Sequence, residues 1–199
     1  MRPGLRWWGV AWLVLAGGVP MAGAAAAPTA ASESIEAQLD AATKLASARK
    51  TEDAVRAFEQ VLQRDPQNGR AHLLLGDVYL YQLRNYDQAL DHFLHATGSD
   101  EPKIKALALE QAGDILMMVK HDWDGAAQHY RRVLAIWPNH IKTHFNLGGC
   151  LANARQWDEA IAEMEVVIKL APKAEDPELA TRAREAIAAI REKQVGTKP

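Results

Sequence analysis

The side chains of this chain best equipped for chemistry are seven histidines and one cysteine. His140 and His144 stand four apart, a spacing that puts two imidazoles on one helix face, where they could share a metal ion. No carboxylate or cysteine completes a ligand set with them. Other histidines recur at structural positions. His72 and His144 each lie four before a glycine, and His92 and His129 each lie one before an aromatic residue. Recurrence at a register marks packing, so these histidines read as border residues between repeated units, and no metal or cofactor is expected. Cys150 follows Gly148 and Gly149 in an apolar stretch. A nucleophilic thiolate needs an adjacent base, and His144 is six residues away, off its helix face. The lone thiol therefore reads as a small core residue, and a single cysteine excludes an intramolecular disulfide or a thiolate cage. After the N-terminal segment the serines are Ser32, Ser34, Ser47 and Ser99, and none lies in a G-x-S-x-G elbow. The chain carries no P-loop, G-x-G-x-x-G or H-E-x-x-H. Paired acids such as Glu52-Asp53 and Asp100-Glu101 fall at expected helix starts and loops, where they complement the helix dipole. Catalysis is not expected.

The elements that hold these residues repeat. Gly76, Gly113 and Gly148 lie 37 and 35 apart, each inside an apolar helical pattern, and each is followed three residues later by Tyr79, Leu116 or Leu151. A second pattern follows each: Ala54, Ala89, Ala126 and Ala160, then Phe58, Phe93, Tyr130 and Met164 four later, then Val61, Ala96, Val133 and Val167 three further on. Pro66, Pro138 and Pro172 close three units, and Pro102 sits one place late in the other. Glycine inside a helix costs about 1 kcal/mol relative to alanine. Three such costs at one register need a packing reason, and close helix approach supplies it. The large residues make the buried stripe of each second helix, and proline stops that helix and sets the turn to the next. Tyr86, Trp123 and Trp157 share a register at the turn inside each pair and read as wedges between its helices. Trp137 has no such duplicate.

These residues resemble the tetratricopeptide repeat family, whose unit is two antiparallel helices of about 34 residues. The resemblance covers residues 35–174, divided into 35–68, 69–105, 106–140 and 141–174. It implies an all-α helical solenoid of about four antiparallel helix pairs. The first unit has Ala42 where the others have glycine and Gln38 where a bulky residue is usual. The second carries extra residues and the loop 98–102, which leaves the angle between units two and three open. Residues 175–199 supply a C-terminal capping helix and tail. Asp176 suits an N-cap, Pro177 the first helical position, and Leu179, Ala183, Ala186, Ile187 and Ile190 form an apolar stripe. A stacked solenoid needs such a cap to cover its last pair.

The resemblance further implies a concave groove lined by the first helices. The groove residues it points to are Arg70, Leu73, Asp77, Leu80 and Tyr81 in unit two, and Glu110, Asp114, Met117 and Met118 in unit three. In unit four they are Lys142, Phe145 and Asn146, the last at a place where family members often hold a peptide backbone. Members that clamp a C-terminal carboxylate use Lys, Asn and Arg at such places; here Lys142, Asn146 and Arg70 do not make up the full clamp. Methionine-rich faces suit adaptable binding of apolar segments, although helix stripes are also core. Asp77, Glu110 and Asp114 add negative charge, and Asp77 and Asp114 are expected to be exposed. The expected partner is a protein or peptide segment, apolar and basic. The alternative is a repeat domain that binds a small ligand or an envelope polysaccharide.

The N-terminus reads as a targeting segment. Arg2 and Arg6 head an apolar run over residues 7–19, Pro20 breaks it, and Ala22-Gly23-Ala24 fits a cleavage site. Residues 1–24 are thus a signal peptide and 25–34 a flexible linker. The rival is an uncleaved anchor, against which Gly17, Gly18 and Pro20 interrupt the helix. Either way the body is exported, to a bacterial periplasm or the outside. With cleavage, no integral span is expected to remain. Of 199 residues 48% are hydrophobic, enough for a core. Formal charge is −2, or −4 without Arg2 and Arg6. A mildly acidic body excludes general nucleic-acid binding, which relies on clustered Lys and Arg.

Overall fold

The computed structural model describes residues 30–174 and 176–196. The expected signal segment lies outside the described residues. Among these residues the chain forms nine α-helices: α1 (Ala30–Ser47), α2 (Thr51–Arg64), α3 (Gly69–Asp77), α4 (Tyr86–Ala96), α5 (Pro102–Ile115), α6 (Trp123–Ile136), α7 (Ile141–Asn153), α8 (Trp157–Leu170) and α9 (Pro177–Gly196). Each packs on the next, and α3 also packs on α5. No strand occurs among the described residues, and none of their helices is long and apolar enough to cross a membrane. α1 begins at Ala30, inside the segment read above as linker: Ala, Ser and Glu favour or tolerate a first helical turn once the next turns are packed.

Helix starts follow from short polar side chains that accept orphan N–H groups. Asn68 accepts from the Ala71 N–H at 2.9 Å, Asp122 from Gly125 at 3.0 Å, and Asp176 from Leu179 at 2.9 Å. The turn inside each pair ends on a left-handed residue that is not glycine: Arg49, Arg84, His121 and Arg155, with φ from 52° to 61°.

The tight glycines meet the large residues of the following helix. A Cβ on Gly76 would lie 2.7 Å from the Phe93 ring, on Gly113 2.9 Å from Tyr130, and on Gly148 2.9 Å from the Met164 methyl. Ala42 does the same duty in unit one and is fully buried, as are Ala54, Ala89, Ala126 and Ala160. The four units are not equal in length between these landmarks. From the small residue of the first helix to the alanine of the second takes 12 residues in units one and four and 13 in units two and three. The extra residue is taken up as a π-helical turn, at Val78–Leu83 after α3 and Leu116–Lys120 after α5. The closing hydrogen bonds record it. Lys50 N–H reaches back five residues to Leu45 and Gln156 to Leu151, whereas Asn85 reaches back six to Tyr79 and Asp122 six to Leu116.

The histidines at unit borders have structural partners. His72 Nε2 lies 3.1 Å from the Pro66 carbonyl and His144 Nε2 2.9 Å from that of Pro138, the prolines that close the preceding units. His72 Nδ1 also meets His92 Nδ1 at 3.1 Å, and His144 Nδ1 meets Glu163 at 2.6 Å. Burial lowers the pKa of both His72 and His92, the latter to about 4. Tyr86, Trp123 and Trp157 are half-buried against the core at the turns inside their pairs, and the half-buried Trp137 ring sits 5.5 Å from that of His140.

Candidate binding face

The first helices stand side by side, and cross-links tie their shared face. Arg70 of α3 pairs with Glu36 of α1 at 2.8 Å. Tyr81 in the π turn after α3 accepts a hydrogen bond from the Gln111 amide nitrogen of α5 at 3.0 Å. Lys142 of α7 reaches both Glu110 and Asp114 of α5 at 3.2 Å. Exposure along this face repeats with register. The position one after the small residue is half-buried in every unit (Thr43, Asp77, Asp114, Gly149), as is the position four after it (Ala46, Leu80, Met117, Ala152), and the position five after it is exposed (Ser47, Tyr81, Met118, Asn153).

Asp114 is a hub. Its Oδ1 accepts from the Tyr130 hydroxyl at 2.6 Å and from Asn146 Nδ2 at 3.1 Å, while Oδ2 faces Lys142. Burial first, and then the Asp114 contact, hold the Tyr130 phenol well above its ordinary pKa. For Lys142 burial works against the charge, but Asp114 and Glu110 outweigh it and raise the ammonium's pKa. Glu110 is buried, with Lys142 as its counter-charge. The sequence expectation that Asp114 is exposed is therefore corrected: three neighbouring side chains claim it. Asp77 is half-buried too, against the same expectation, yet its Oδ1 is buried without a partner. Burial pushes its carboxyl up to about 6.

The other groove positions divide. Leu73 is buried in the core. Met117 is half-buried, its sulfur 3.8 Å from the Tyr130 hydroxyl, while Met118 is 68% exposed. Phe145 lies beneath Arg182 of α9, whose guanidinium sits 4.9 Å from the ring centroid. Tyr81 is 65% exposed, and the π turns add exposed Leu83 and Val119 beside it and Met118. Open space lies around α3. A 620 Å³ cavity is walled by Glu36, Arg70, Leu73, Leu74, Leu107 and the loop 98–101. A 230 Å³ pocket between α1 and α3 is lined by Thr43, Ser47, Leu74, Asp77, Tyr81 and Gln82, so Leu74 walls both. The structure thus brings Arg70, Asp77 and Tyr81 to open space, and joins Glu110, Asp114, Asn146 and the exposed Lys142 in a network of intramolecular contacts.

No group of three or more His, Cys, Asp or Glu side chains among the described residues is placed to hold a metal ion. Cys150 is buried, which pushes its thiol up to about 12, so it is not poised as a nucleophile.

Family models of the tetratricopeptide repeat match residues 39–104 and 120–187. The chain belongs to the tetratricopeptide repeat family. Solved structures agree on the fold. A point mutant of MamA is 23% identical, with a TM-score of 0.64, over 80% of this chain and 82% of its own. MamA from Desulfovibrio magneticus RS-1 is 15% identical, with a TM-score of 0.59, over 83% and 97%. YrrB, a TPR protein with an unusual peptide-binding site, is 20% identical, with a TM-score of 0.58, over 82% and 93%. No curated protein matches the sequence.

Within this tetratricopeptide array, the sequence reading missed Thr43 and Ser47 as wall residues of the Asp77 pocket. The signal was present, because they stand one and five after Ala42, the registers of Asp77 and Tyr81 in unit two. It also missed the π turns, whose signal is the 13-residue spacing. Arg182 over Phe145 left no such mark.

Proposed function

We propose that this protein is an exported, non-catalytic scaffold that holds an apolar, basic segment of a partner protein along the face of its first helices. The observation that carries this is the pair of exposed apolar side chains, Tyr81 and Met118, at one register of neighbouring helices. Exposed apolar side chains beside concave space mark interaction surfaces. Interaction is also what tetratricopeptide repeats generally serve, and the neighbour YrrB has a peptide-binding site. With Lys142, Asn146 and Phe145 already paired within the molecule, the working part of the face is units one to three rather than two to four. Export rests on the basic head, apolar run and Ala-x-Ala site of residues 1–24. The compartment we infer is a bacterial periplasm or its equivalent, with the mature chain beginning near Ala25.

The test is capture of partners from the protein's own envelope fraction by the mature chain. Wild type is compared with Tyr81→Ser/Met118→Ser and with Glu185→Lys/Glu192→Lys on the exposed side of α9. Loss of a partner with the first pair alone supports the reading. Loss with the second pair alone moves the site to the cap and overturns it. Intact mass of the exported protein decides the N-terminus: recovery of the chain from Met1 in membranes would make residues 1–24 an anchor.

A further inference from the structure

Asp77 and Asp114 occupy one register, each following the tight glycine of its first helix, yet their surroundings differ. Asp114 is met by Tyr130, Asn146 and Lys142. The residues at those three registers around Asp77 are Phe93, Gln111 and Leu107. Phe93 has no hydroxyl, Leu107 has no charge, and Gln111 bonds to the Tyr81 hydroxyl instead. Asp77 Oδ1 is consequently buried and unpartnered. An unpaired buried carboxylate oxygen is costly, and such an atom calls for a reason.

The walls around it narrow what would satisfy it. The Thr43 hydroxyl donates to the Leu39 carbonyl at 2.7 Å and the Ser47 hydroxyl donates to the Thr43 carbonyl at 2.9 Å. Their protons are spent within α1, and their oxygens remain acceptors. Gln82 donates one amide N–H to the Ala46 carbonyl and accepts from Thr51. The polar lining left over is therefore dominated by acceptors, a carboxylate and two hydroxyl oxygens, with the second Gln82 N–H and the Tyr81 hydroxyl beside them. Phe58, Leu74 and Val78 make the rest of the wall apolar, and the exposed Tyr81 ring stands at the rim. An acceptor-rich pocket with a negative charge and an apolar wall fits a cation on an aliphatic stem: three N–H donors for the oxygens, methylenes for the wall, and an aromatic face for the charge.

We propose that this pocket takes a lysine side chain of the partner segment, its ammonium paired with Asp77 as Lys142 is paired with Asp114 inside the molecule. The proposal rests on the reading of this face as the working surface and adds which residue of the partner is read and where. At neutral pH the Asp77 carboxyl, although pushed up to about 6, is mainly ionised and needs a counter-charge.

The probe is n-butylammonium chloride, titrated into the 15N-labelled protein at pH 7.5. The controls are sodium chloride at matched ionic strength and n-butanol. Saturable amide shifts are expected at Thr43, Ser47, Asp77, Tyr81 and Gln82 with the ammonium alone. Binding should weaken about tenfold or more in Asp77→Asn, as loss of a desolvated charge partner does. Ser47→Leu, which fills the pocket and leaves the carboxylate in place, should also abolish the response. A full response in either variant, or equal shifts with n-butanol, overturns the proposal. Partner capture separates the two readings. If Tyr81→Ser/Met118→Ser loses the partner while Asp77→Asn keeps it, the face stands and the lysine pocket falls. If neither loses it, the face falls, and the titration still decides the pocket.

Discussion

A carboxylate that follows the tight glycine has opposite worth in two adjacent units. Asp114 ties α5, α6 and α7 together, so Asp114→Ala should destabilise by about 1–3 kcal/mol, the usual result of leaving partners unsatisfied. Asp77→Asn should instead stabilise. The folded pKa of Asp77, about 6, lies above the ordinary 3.8, so the fold prefers it protonated. Its contribution is full below about pH 4 and is lost as pH rises through about 6. Urea titrations of wild type and Asp77→Asn should therefore coincide near pH 4 and diverge by roughly 1–3 kcal/mol in the variant's favour at pH 7.5. A difference that does not change with pH would mean that Asp77 is already paired. The packing residues make a second comparison. Gly113→Leu must displace the Tyr130 ring and Ala126→Leu must enter a fully buried site, each costing about 1–3 kcal/mol or more. The same change at exposed Asp100 should cost little, and equal melting temperatures for the three variants would refute the register. These packing positions were legible in the sequence because a size limit leaves a small residue, glycine or alanine, at the same register of every unit. The Asp114 network was not, because the same acid at the same register has no partners one unit earlier.

At the scale of the element, the π turns are the departure from a uniform array. An inserted residue in a helix that must keep its buried face widens one turn rather than rotating the whole stripe. Leu83 and Val119 stand exposed in these longer turns. Deleting Val119 restores the 12-residue spacing and should let Asp122 N–H reach back five residues to Leu116, as Gln156 does to Leu151. Helix content by circular dichroism should stay constant and thermal stability should hold or rise. A large fall in helix content would show that the wide turn is required by the packing of α5 on α6. Helix pairs, their order and the cap start at Asp176 could all be read from spacing. The N-terminal limit of α1 could not, since Ala30 and the residues after it carry no apolar stripe of their own.

At the scale of the whole molecule, α9 stands where a further first helix would stand and closes the stack. Ile187 and Ile190 are almost fully buried against α8 and its neighbours, and Arg182 covers Phe145. A chain ending before Asp176 loses that cover. Burial of the two isoleucines alone is worth on the order of 3–6 kcal/mol, so calorimetry should show a clear drop in melting temperature and light scattering should show self-association. A truncated chain as stable as the full one would mean that α9 is dispensable. The joints between units are also unequal, and this bears on how the molecule deforms. One apolar cluster runs through α1 to α5 and so joins units one to three, with the Tyr81–Gln111 bond added at its surface, whereas α5 and α7 are tied by the polar contacts of Asp114 with Lys142 and Asn146. Viewed as joinery, the array has glued joints over α1 to α5 and a riveted one between α5 and α7. Rivets of charge are screened by salt and apolar glue is not, so high ionic strength will loosen the α5–α7 joint before the α3–α5 one.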